Sequence, residues 1–316
     1  MNAAKRVAVL KGGRSLERNI SLRSGAHAQE ALTRLGHEVI AIDVDAGFVE
    51  QLLSASPEAA LVALHGPDGE DGTLQSLLEA IGLPYTGSGP AACMCCTDKA
   101  LAKHLMRGAG IPTPDFHSFK ESWIKQLGAA QALPSVERSL GFPLVVKPVS
   151  QGSALGVKFA RCSEELPGAL VGALSYDRKV LIERYVKGRD LAVSVLDGPE
   201  GPLPLPVVEA VPREEDFFDY ESRYEIGMTT FVCPAELPGE TTARAQELAL
   251  SVYRLLGCHG VARVDLMLDE SGELWVLEAN VVPGMTETSL LPQAADAAGV
   301  GFDELIARVL QSAFTR

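Results

Sequence analysis

Short apolar runs alternate with stretches of helical periodicity along the first ninety residues. Apolar runs of four to eight residues are typical of buried strands, whereas apolar residues at helical spacing indicate one buried helix face. The predicted elements are a strand at 6–10, a helix at 21–35, strands at 38–44 and 60–64, and a helix at 73–80. Because parallel strands need helical crossovers, this order predicts a doubly wound parallel sheet.

A turn-rich segment, LPYTGSGP at 83–90, interrupts this pattern and predicts a domain boundary. The remaining residues mix short strands with fewer helices, which is typical of an α+β arrangement. Strands are predicted at 143–147, 157–160, 180–183, 191–196, 207–211, 261–268 and 274–277, and helices at 98–107, 242–256 and 302–312. A chain of 316 residues exceeds one ordinary core, so we expect two or three domains, with the first boundary at this segment.

Composition narrows the class of protein. The chain has 41 acidic and 28 basic residues, a net charge of -13, which argues against nucleic acid or an anionic membrane as the main partner. Its six cysteines lack zinc-binding spacing and predict reduced thiols. The longest uncharged stretch, 80–97, contains three glycines and two prolines and predicts no membrane helix, so we expect a cytoplasmic protein.

The segment VARVDLML at 261–268 alternates polar and apolar residues. Side chains two residues apart share a strand face, so Arg263 and Asp265 lie together. A four-residue hairpin turn would follow, which predicts that Asp265 pairs with Val276 and Arg263 with Glu278. Since opposed residues also share a face, we expect one side of the hairpin to carry Arg263, Asp265, Glu278 and Asn280.

Two carboxylates and an amide on one face are hard oxygen ligands of the kind that Mg²⁺ and Mn²⁺ prefer. Arg263 beside them would stabilise negative charge that develops during acyl or phosphoryl transfer. A solvated hairpin face with a cross-strand Arg–Glu pair explains the same spacing, and the sequence pattern leaves both interpretations open.

A loop of small residues, SQGSALG at 150–156, follows Lys147 at the end of a predicted strand. Such a loop offers backbone N–H groups and hydroxyls to phosphates, and the lysine adds a positive charge. An ordinary flexible hairpin beside a surface lysine is the alternative. No GxxxxGK[ST] loop occurs, which excludes a P-loop NTPase, and no GxGxxG follows the first strand.

Specific motifs run in order through nearly the whole chain. They are GGRSLE at 12–17, ISL at 20–22, HGPDGEDG at 65–72, YTGS at 85–88, DK at 98–99, VKPVSQGS at 146–153, LIE at 181–183, DYESRY at 219–224, RVD at 263–265, EAN at 278–280, PGMT at 283–286 and SLLP at 289–292. Together they resemble the ATP-grasp ligases, and among them the D-alanine–D-alanine ligase family.

The resemblance implies an ATP-grasp fold preceded by a doubly wound, Rossmann-like N-terminal domain at 1–88. The central ATP-grasp subdomain would be 89–183, and 184–316 would carry the metal site. The implied reaction joins two D-alanine molecules for peptidoglycan synthesis. One carboxylate attacks the γ-phosphate of ATP, and the amine of the second D-alanine displaces phosphate from the resulting acyl phosphate. The family also suggests a homodimer.

The resemblance further implies roles for individual residues. ATP would be bound by Lys99, Lys147, Gly152, Ser153, Glu183, Tyr185, Val186 and Asp190, with the two lysines on the phosphates, Glu183 on the adenine amino group, the Tyr185–Val186 backbone at the ring edge and Asp190 on the ribose. D-alanine would be bound by Glu17, His65, Ser289 and Leu290. Catalysis would depend on Glu17, Ser153, Tyr224, Arg263 and Gly284, and two Mg²⁺ or Mn²⁺ ions on Asp265, Glu278 and Asn280. Residues 213–232 would form a loop that closes over the site.

Several alternatives stay open at this point. Glu17 could pair with a neighbouring arginine, Tyr224 could be a packing aromatic, and His65 could be structural. Lys99 could be solvated on one helix face with Lys103. At the level of function, the second substrate could be D-lactate, D-serine or another amino acid, or the protein could bind nucleotide without catalysis. Four positions differ from the usual family pattern, namely Gln151, Asp190, Arg223 and Val281.

Overall fold

The computed structural model describes residues 4–126, 128–212 and 229–316. The first part of the chain forms β1 (Arg6–Lys11), α1 (Arg18–Arg34), β2 (Glu38–Asp43), α2 (Phe48–Ala55), β3 (Ala59–Val62) and α3 (Thr73–Ala80). The strands pair in parallel in the order β2-β1-β3, with helical crossovers between them. The predicted doubly wound sheet is therefore confirmed. Tyr85 adds a parallel bridge to Ala60 at its edge.

The middle of the chain surrounds an antiparallel sheet in the order β4-β7-β5-β6. Its elements are α4 (Pro90–Thr97), α5 (Lys99–Gly108), β4 (Phe116–Lys120), α6 (Glu121–Gln126), a 3₁₀ helix at Ala129–Ala132, α7 (Leu133–Leu140), β5 (Leu144–Pro148), β6 (Lys158–Ala160), α8 (Leu166–Leu174) and β7 (Lys179–Arg184). One face of this sheet packs on α7 and α8 through a separate apolar core.

A second antiparallel sheet has the order β11-β10-β8-β12-β13, with β9 paired to β8. The elements are β8 (Gly188–Gly198), β9 (Gly201–Pro204), β10 (Val208–Pro212), β11 (Thr229–Val232), α9 (Gly239–Leu255), β12 (Val261–Asp269), β13 (Leu274–Asn280), α10 (Leu290–Ala297), α11 (Phe302–Gln311) and a 3₁₀ helix at Ser312–Phe314. Within the described ranges, no helix is long and apolar enough to cross a membrane.

Helix α11 returns to the N-terminal sheet. Ile306 and Leu310 pack with Val7, Val9 and Leu61 in one buried cluster. Apolar contact between distant segments excludes water from both and stabilises the fold. The two ends of the chain therefore share a core, although the sequence pattern separates them into different parts.

Helix α4 is absent from the elements that the sequence predicts. Pro90 suggested a turn, yet proline is well accommodated in the first turn of a helix, where its missing N–H needs no partner. The small residues that follow show no clear apolar periodicity. Asp98 then begins α5, since its carboxylate accepts a hydrogen bond from the Leu101 N–H at 2.9 Å. Two consecutive helices, α4 and α5, therefore follow the predicted connector.

The β12–β13 hairpin corrects the register expected from the sequence. Asp269 stays paired with Glu273 because its carboxylate accepts hydrogen bonds from the backbone N–H groups of Ser271 and Glu273, both at 2.9 Å. The turn therefore has three residues rather than four. As a result, Leu268 pairs with Leu274 instead of Glu273.

A β-bulge in β13 decides which face the acidic residues occupy. A one-residue slip moves every side chain of a strand to the other face, so the three-residue turn alone would separate Asp265 from Glu278. The register shifts by one residue after Asp265, which pairs Asp265 with Glu278 and Arg263 with Asn280. The predicted pairings of Asp265 with Val276 and of Arg263 with Glu278 were both wrong, but the predicted set of residues still shares one face.

Candidate active site

A pocket of about 340 Å³ lies where four segments of the chain converge. These segments are the loop after β3, the junction of α4 and α5, the loop after β5 and the end of β13. The pocket is lined by Glu70, Cys96, Thr97, Lys99, Ser150, Gln151, Gly152, Glu278, Ala279, Asn280 and Val281. Residues far apart in the sequence are thus brought to one cleft, and several of them are charged.

The polar face of the β12–β13 hairpin lies at this pocket. Asp265 and Glu278 are directly opposed across the strands, and Asn280 is the next residue of β13 on the same face. Arg263 binds both carboxylate oxygens of Asp265, at 2.6 and 2.8 Å. Lys99 lies 3.4 Å from Glu278. This geometry rules out the solvated hairpin face, because these side chains are largely buried and paired with cations.

Cations set the charge state of Glu278. Burial by itself raises the pKa of this carboxyl group, but the charges of Lys99, Lys147 and Arg263 outweigh burial and hold the pKa below its ordinary value. Glu278 is therefore an ionised carboxylate at neutral pH. A buried anion of this kind attracts further cations from the pocket.

The hairpin face fits a divalent metal ion of the Mg²⁺ type. Asp265, Glu278 and Asn280 offer only oxygen ligands, and Mg²⁺ is usually held by one or two carboxylates together with substrate phosphates and water. Within the described ranges, no group of three or more His, Cys, Asp or Glu side chains could hold a metal ion by itself. The residues present therefore fit an ion that is completed by a bound phosphate rather than one in a closed protein cage.

A buried cluster of two lysines around one glutamate lies at the end of β7. Lys147 binds Oε1 of Glu183, and Lys103 lies 3.0 Å from Oε2 of the same carboxylate. Burial raises the pKa of Glu183, but the charges of Lys103 and Lys147 lower it by a larger amount. The pKa therefore lies below its ordinary value. The cluster carries a net positive charge, which is favourable beside an anionic ligand.

The loop that follows β5 is strained at its tip. Ser153 and Ala154 have φ angles of 49° and 56°, in the left-handed region that side chains disfavour. Such strain persists only where surrounding contacts fix the backbone, and it is frequent at functional sites. Lys99 supplies one of these contacts by donating a hydrogen bond to the Gln151 carbonyl at 2.7 Å. The loop is thereby held at the pocket rather than extended into solvent.

Glu17 lies at the start of α1 with its carboxylate against this loop. Ser153 donates a hydrogen bond to Oε1, while Oε2 is buried without a hydrogen-bond partner among the described residues. A Cβ at Gly152 would lie 3.0 Å from both carboxylate oxygens, so a side chain there would press on the Glu17 carboxylate. Burial and then the charge of Glu70 raise the pKa of Glu17 above its ordinary value. The charges of His65 and Lys99 act in the opposite direction but are outweighed.

His65 is joined to the loop after β13 by one serine. Its Nε2 lies 3.0 Å from the Ser24 hydroxyl, which also accepts a hydrogen bond from the Met285 N–H at 3.1 Å. On its other side, His65 Nδ1 lies 3.6 Å from Glu70. The buried Ser24 therefore connects the predicted D-alanine site to the backbone beside Gly284.

The segment from Gly284 to Leu290 forms a compact turn before α10. The Ser289 hydroxyl accepts a hydrogen bond from the Thr286 N–H at 3.0 Å, and a Cβ at Gly284 would lie 2.6 Å from that hydroxyl. Ser289 occupies the position before the first turn of α10, and Leu290 is its first residue. The N-terminus of a helix favours anions such as a carboxylate, because its first N–H groups lack intrahelical partners.

Comparisons with known proteins show which family the chain belongs to. Residues 105–311 match the family model of the D-ala D-ala ligase C-terminus, and residues 48–88 match that of the N-terminus. The chain is 43% identical over 312 residues to D-alanine–D-alanine ligase of Syntrophotalea carbinolica, covering 99% of this chain and 97% of that protein. The chain belongs to the D-alanine–D-alanine ligase family.

Two further members of the family are also similar to the chain over nearly its whole length. A D-alanine–D-alanine ligase of a Synechococcus species is 42% identical over 313 residues, covering 98% of this chain and 94% of that protein. The crystal structure of the Bacillus anthracis enzyme complexed with ATP is 33% identical, with a TM-score of 0.83 and coverage of 99% and 98%. The predicted ATP-grasp architecture, with a parallel-sheet domain before it, is therefore confirmed.

The structure describes three further residues that the family resemblance predicts at the ATP site, Tyr185, Val186 and Asp190. The Tyr185 N–H is already used, since it donates to the Pro143 carbonyl at 3.1 Å. Val186 follows it, and Asp190 lies in β8 opposite Met267 of β12. Tyr224 and residues 213–228 of the predicted closing loop lie outside the described residues. Residues 229–232 were wrongly included in that loop, because they form β11 and pair with β10.

Some residues of the site were missed at the sequence level. Lys103 was considered only as a solvated neighbour of Lys99, and this alternative is wrong because both lysines are buried. The i, i+4 spacing of Lys99 and Lys103 places both on one helix face, and it was the sequence feature that could have pointed to Lys103. Ser24 and Thr113 carry no comparable signal, because their partners are distant in the sequence.

Proposed function

We propose that this protein catalyses the ATP-dependent ligation of two D-alanine molecules to D-alanyl-D-alanine, for peptidoglycan precursor synthesis. One observation carries the proposal. Two buried glutamates with opposite surroundings lie beside the same glycine-rich loop. Glu278 is paired with Lys99, whereas Glu17 lies near another acid and has an oxygen that no hydrogen bond from a described residue reaches. The first arrangement suits a metal-bound triphosphate, and the second suits an ammonium group.

ATP would lie against the lysines and the loop after β5. Lys99 and Lys147 supply positive charge for the phosphates, and the loop at Gly152 and Ser153 lies over them. Glu183 would accept a hydrogen bond from the adenine amino group. The Tyr185–Val186 backbone would border the ring, through groups other than the Tyr185 N–H, and Asp190 would bind the ribose hydroxyls. Phosphoryl transfer depends mainly on such positioning and charge neutralisation.

Asp265, Glu278 and Asn280 would hold two Mg²⁺ or Mn²⁺ ions together with the phosphates. When bound, these ions neutralise phosphate charge and make the γ-phosphorus more susceptible to attack. Arg263 occupies both oxygens of Asp265, so a metal ion at Asp265 competes with the arginine for the same atoms. If released from that pairing, the guanidinium group would be available to substrate.

The first D-alanine would bind with its ammonium group at Glu17 and lie near His65. Ser153 fixes Glu17, and Tyr224 would belong to the same network. The carboxylate oxygen of this D-alanine attacks the γ-phosphorus, giving ADP and an acyl phosphate. The ordinary cost of burying an unpaired carboxylate is offset when the ammonium group binds it.

The second D-alanine would bind with its carboxylate at Ser289 and Leu290, at the N-terminus of α10. Its amine attacks the acyl carbon, and the tetrahedral intermediate collapses with release of phosphate. Arg263 and the Gly284 N–H would donate hydrogen bonds to the oxyanion of this intermediate. The segment before β11, residues 213–228, would close over the site and exclude water, which would otherwise hydrolyse the acyl phosphate.

The setting of the reaction is proposed along with it. We expect a cytoplasmic homodimer that binds neither nucleic acid nor membrane, in keeping with the net charge of -13. The division into 1–88, 89–183 and 184–316 assigns the first-substrate residues to the N-terminal part and the metal site to the last part.

Phosphate release from ATP tests the function. With D-alanine alone, we expect ATP-dependent phosphate release and, by mass spectrometry, D-alanyl-D-alanine. Parallel reactions with D-alanine plus D-lactate or D-serine should yield only the D-alanine dipeptide as the main product. A main product that contains D-lactate or D-serine would contradict the proposed second substrate, and no phosphate release with any of them would contradict the ligase function.

A further inference from the structure

Lys103 is a buried cation that the proposed reaction does not use. It lies one turn after Lys99 in α5, and its residue has 0% exposure to solvent. Lysine is almost never fully buried without a charged partner, because removing an ammonium group from water is costly. Burial lowers the pKa of Lys103 to about 8, against the opposing effect of Glu183. A buried ammonium group of this kind depends on its contacts to remain charged.

The contacts of Lys103 link the two antiparallel sheets. Its ammonium group lies 3.0 Å from Glu183 Oε2, at the end of β7, and donates to the Thr113 hydroxyl at 2.5 Å. Thr113 in turn donates to the Val276 carbonyl in β13 at 2.8 Å. This chain of hydrogen bonds fixes the Lys103 ammonium group through a contact other than Glu183. The lysine therefore has a defined position independent of any ligand.

Lys147 holds the other oxygen of the same carboxylate but has a different environment. It binds Glu183 Oε1, and the charges of Glu278 and Asp265 also act on it. It lies at the end of β5, next to the loop that borders the pocket. Lys147 is therefore placed to exchange Glu183 for a bound phosphate, whereas Lys103 is anchored by Thr113.

We propose that Lys103 is a positioning residue for nucleotide selection, which holds the Glu183 carboxylate by Oε2 and leaves Oε1 to the purine amino group once Lys147 binds phosphate. The proposal rests on the proposed role of Glu183 at adenine. A 6-amino group donates to a carboxylate oxygen, whereas the 6-oxo group of hypoxanthine presents a second acceptor and is repelled. A carboxylate fixed in place rejects inosine triphosphate more strongly than one that can turn away.

The test compares ATP with inosine triphosphate in the ligase reaction. The measured quantity is the ratio of kcat/KM for the two nucleotides, from phosphate release at saturating D-alanine. For Lys103→Met we expect the preference for ATP to fall about tenfold, the scale of one charge-assisted hydrogen bond. Glu183→Gln should lower the same ratio, and the double variant should lose little more than either single one, because both substitutions remove one interaction.

Two further variants separate positioning from general stability. Thr113→Val keeps the lysine charge but removes its anchor, and we expect it to lower the ratio about threefold. Lys125→Met removes a lysine that is exposed on α6 and paired with Glu121, and it should leave the ratio unchanged. If Lys103→Met does not fold, Thr113→Val decides, and an unchanged ratio there overturns the proposal.

Other outcomes distinguish this inference from the proposed function. Equal losses of kcat/KM for both nucleotides in Lys103→Met would make the lysine merely structural and overturn the proposal. An unchanged ratio in Glu183→Gln would defeat the assignment of Glu183 to adenine and the inference with it, while leaving the ligase reaction intact. A wild-type protein that releases no phosphate would defeat the proposed function itself.

Discussion

Glu278 and Glu17 are both largely buried carboxylates beside one loop, yet their surroundings shift their pKa values in opposite directions. Lys99, Lys147 and Arg263 lower the pKa of Glu278 despite its burial. Burial and Glu70 raise the pKa of Glu17, whose Oε2 lacks a hydrogen-bond partner among the described residues. The difference indicates that the site is divided by charge.

This division has a chemical meaning. The Glu278 side already contains cations and gains from an anionic triphosphate with its metal ions. The Glu17 side contains two acids and gains from an ammonium group. A ligase must bind a polyphosphate and an amino acid next to each other. Opposite charges on the two sides of the site direct each of them to its own place. Four predictions test the comparison, in order of decreasing effect.

Replacing Glu278 should have the largest effect. Glu278→Ala removes a proposed metal ligand and leaves Lys99 without its carboxylate, so we expect kcat to fall by about a thousandfold or more. The measurement is phosphate release from ATP with saturating D-alanine and Mg²⁺. Glu270→Ala, in the exposed turn of the same hairpin, is the control and should retain full activity. Unchanged turnover in Glu278→Ala would defeat the metal assignment.

Replacing Glu17 should affect the amino acid and spare the nucleotide. Glu17→Gln keeps the size of the side chain but loses the charge that meets the ammonium group, so we expect KM for the first D-alanine to rise by about a hundredfold. KM for ATP should stay within about twofold, since the proposed ATP ligands are other residues. A rise in KM for ATP equal to that for D-alanine would contradict the division of the site.

Replacing Ser24 should weaken the connection between His65 and the backbone beside Gly284. Ser24→Ala leaves the buried Met285 N–H without its acceptor, and we expect kcat to fall about tenfold because the neighbouring oxyanion donor is displaced. Thr33→Ala, on the solvent side of the same helix, is the control. Equal effects of the two substitutions would mean that the loss reflects helix stability alone.

The smallest effect concerns stability and its dependence on pH. Because the folded pKa of Glu17 is raised, its contribution to the free energy of unfolding falls as pH rises through the interval between the unfolded and folded pKa values. Glu17→Gln removes this penalty, so its Tm should exceed that of the wild type at pH 7. The difference should vanish below about pH 4, where an ordinary glutamate is protonated.

Thermal melting at several pH values measures this difference. Glu50→Gln, at an exposed position of α2, is the control and should give no comparable pH-dependent change. A Glu17→Gln variant that is less stable than the wild type at pH 7 would contradict the raised pKa.

The two regions also differ in how far the sequence could predict them. The period of two in β12 and β13 placed Arg263, Asp265, Glu278 and Asn280 on one face, although the turn was a residue shorter than expected. The bulge after Asp265 restored that face, and nothing in the local pattern indicated it. The parallel N-terminal sheet followed from its alternating elements for the same reason, since both depend on local periodicity.

The Glu17 side depends on contacts that no local pattern contains. Ser153 and Glu17 are 136 residues apart, and Ser24 and Met285 are 261 residues apart. Only the family motifs pointed to Glu17 and His65. Lys103 was misjudged because a lysine beside another on a helix usually faces solvent, and only the packing of α5 against Glu183 shows otherwise.

The most direct test of the charge division is a crystal structure with ADP, Mn²⁺ and a phosphinate analogue of the dipeptide intermediate, with anomalous scattering data for manganese. We expect manganese peaks within coordination distance of oxygens of Asp265 and Glu278. We also expect the ammonium group of the analogue to lie at Glu17. Manganese bound away from β12 and β13, or the ammonium group among the lysines, would contradict the charge division.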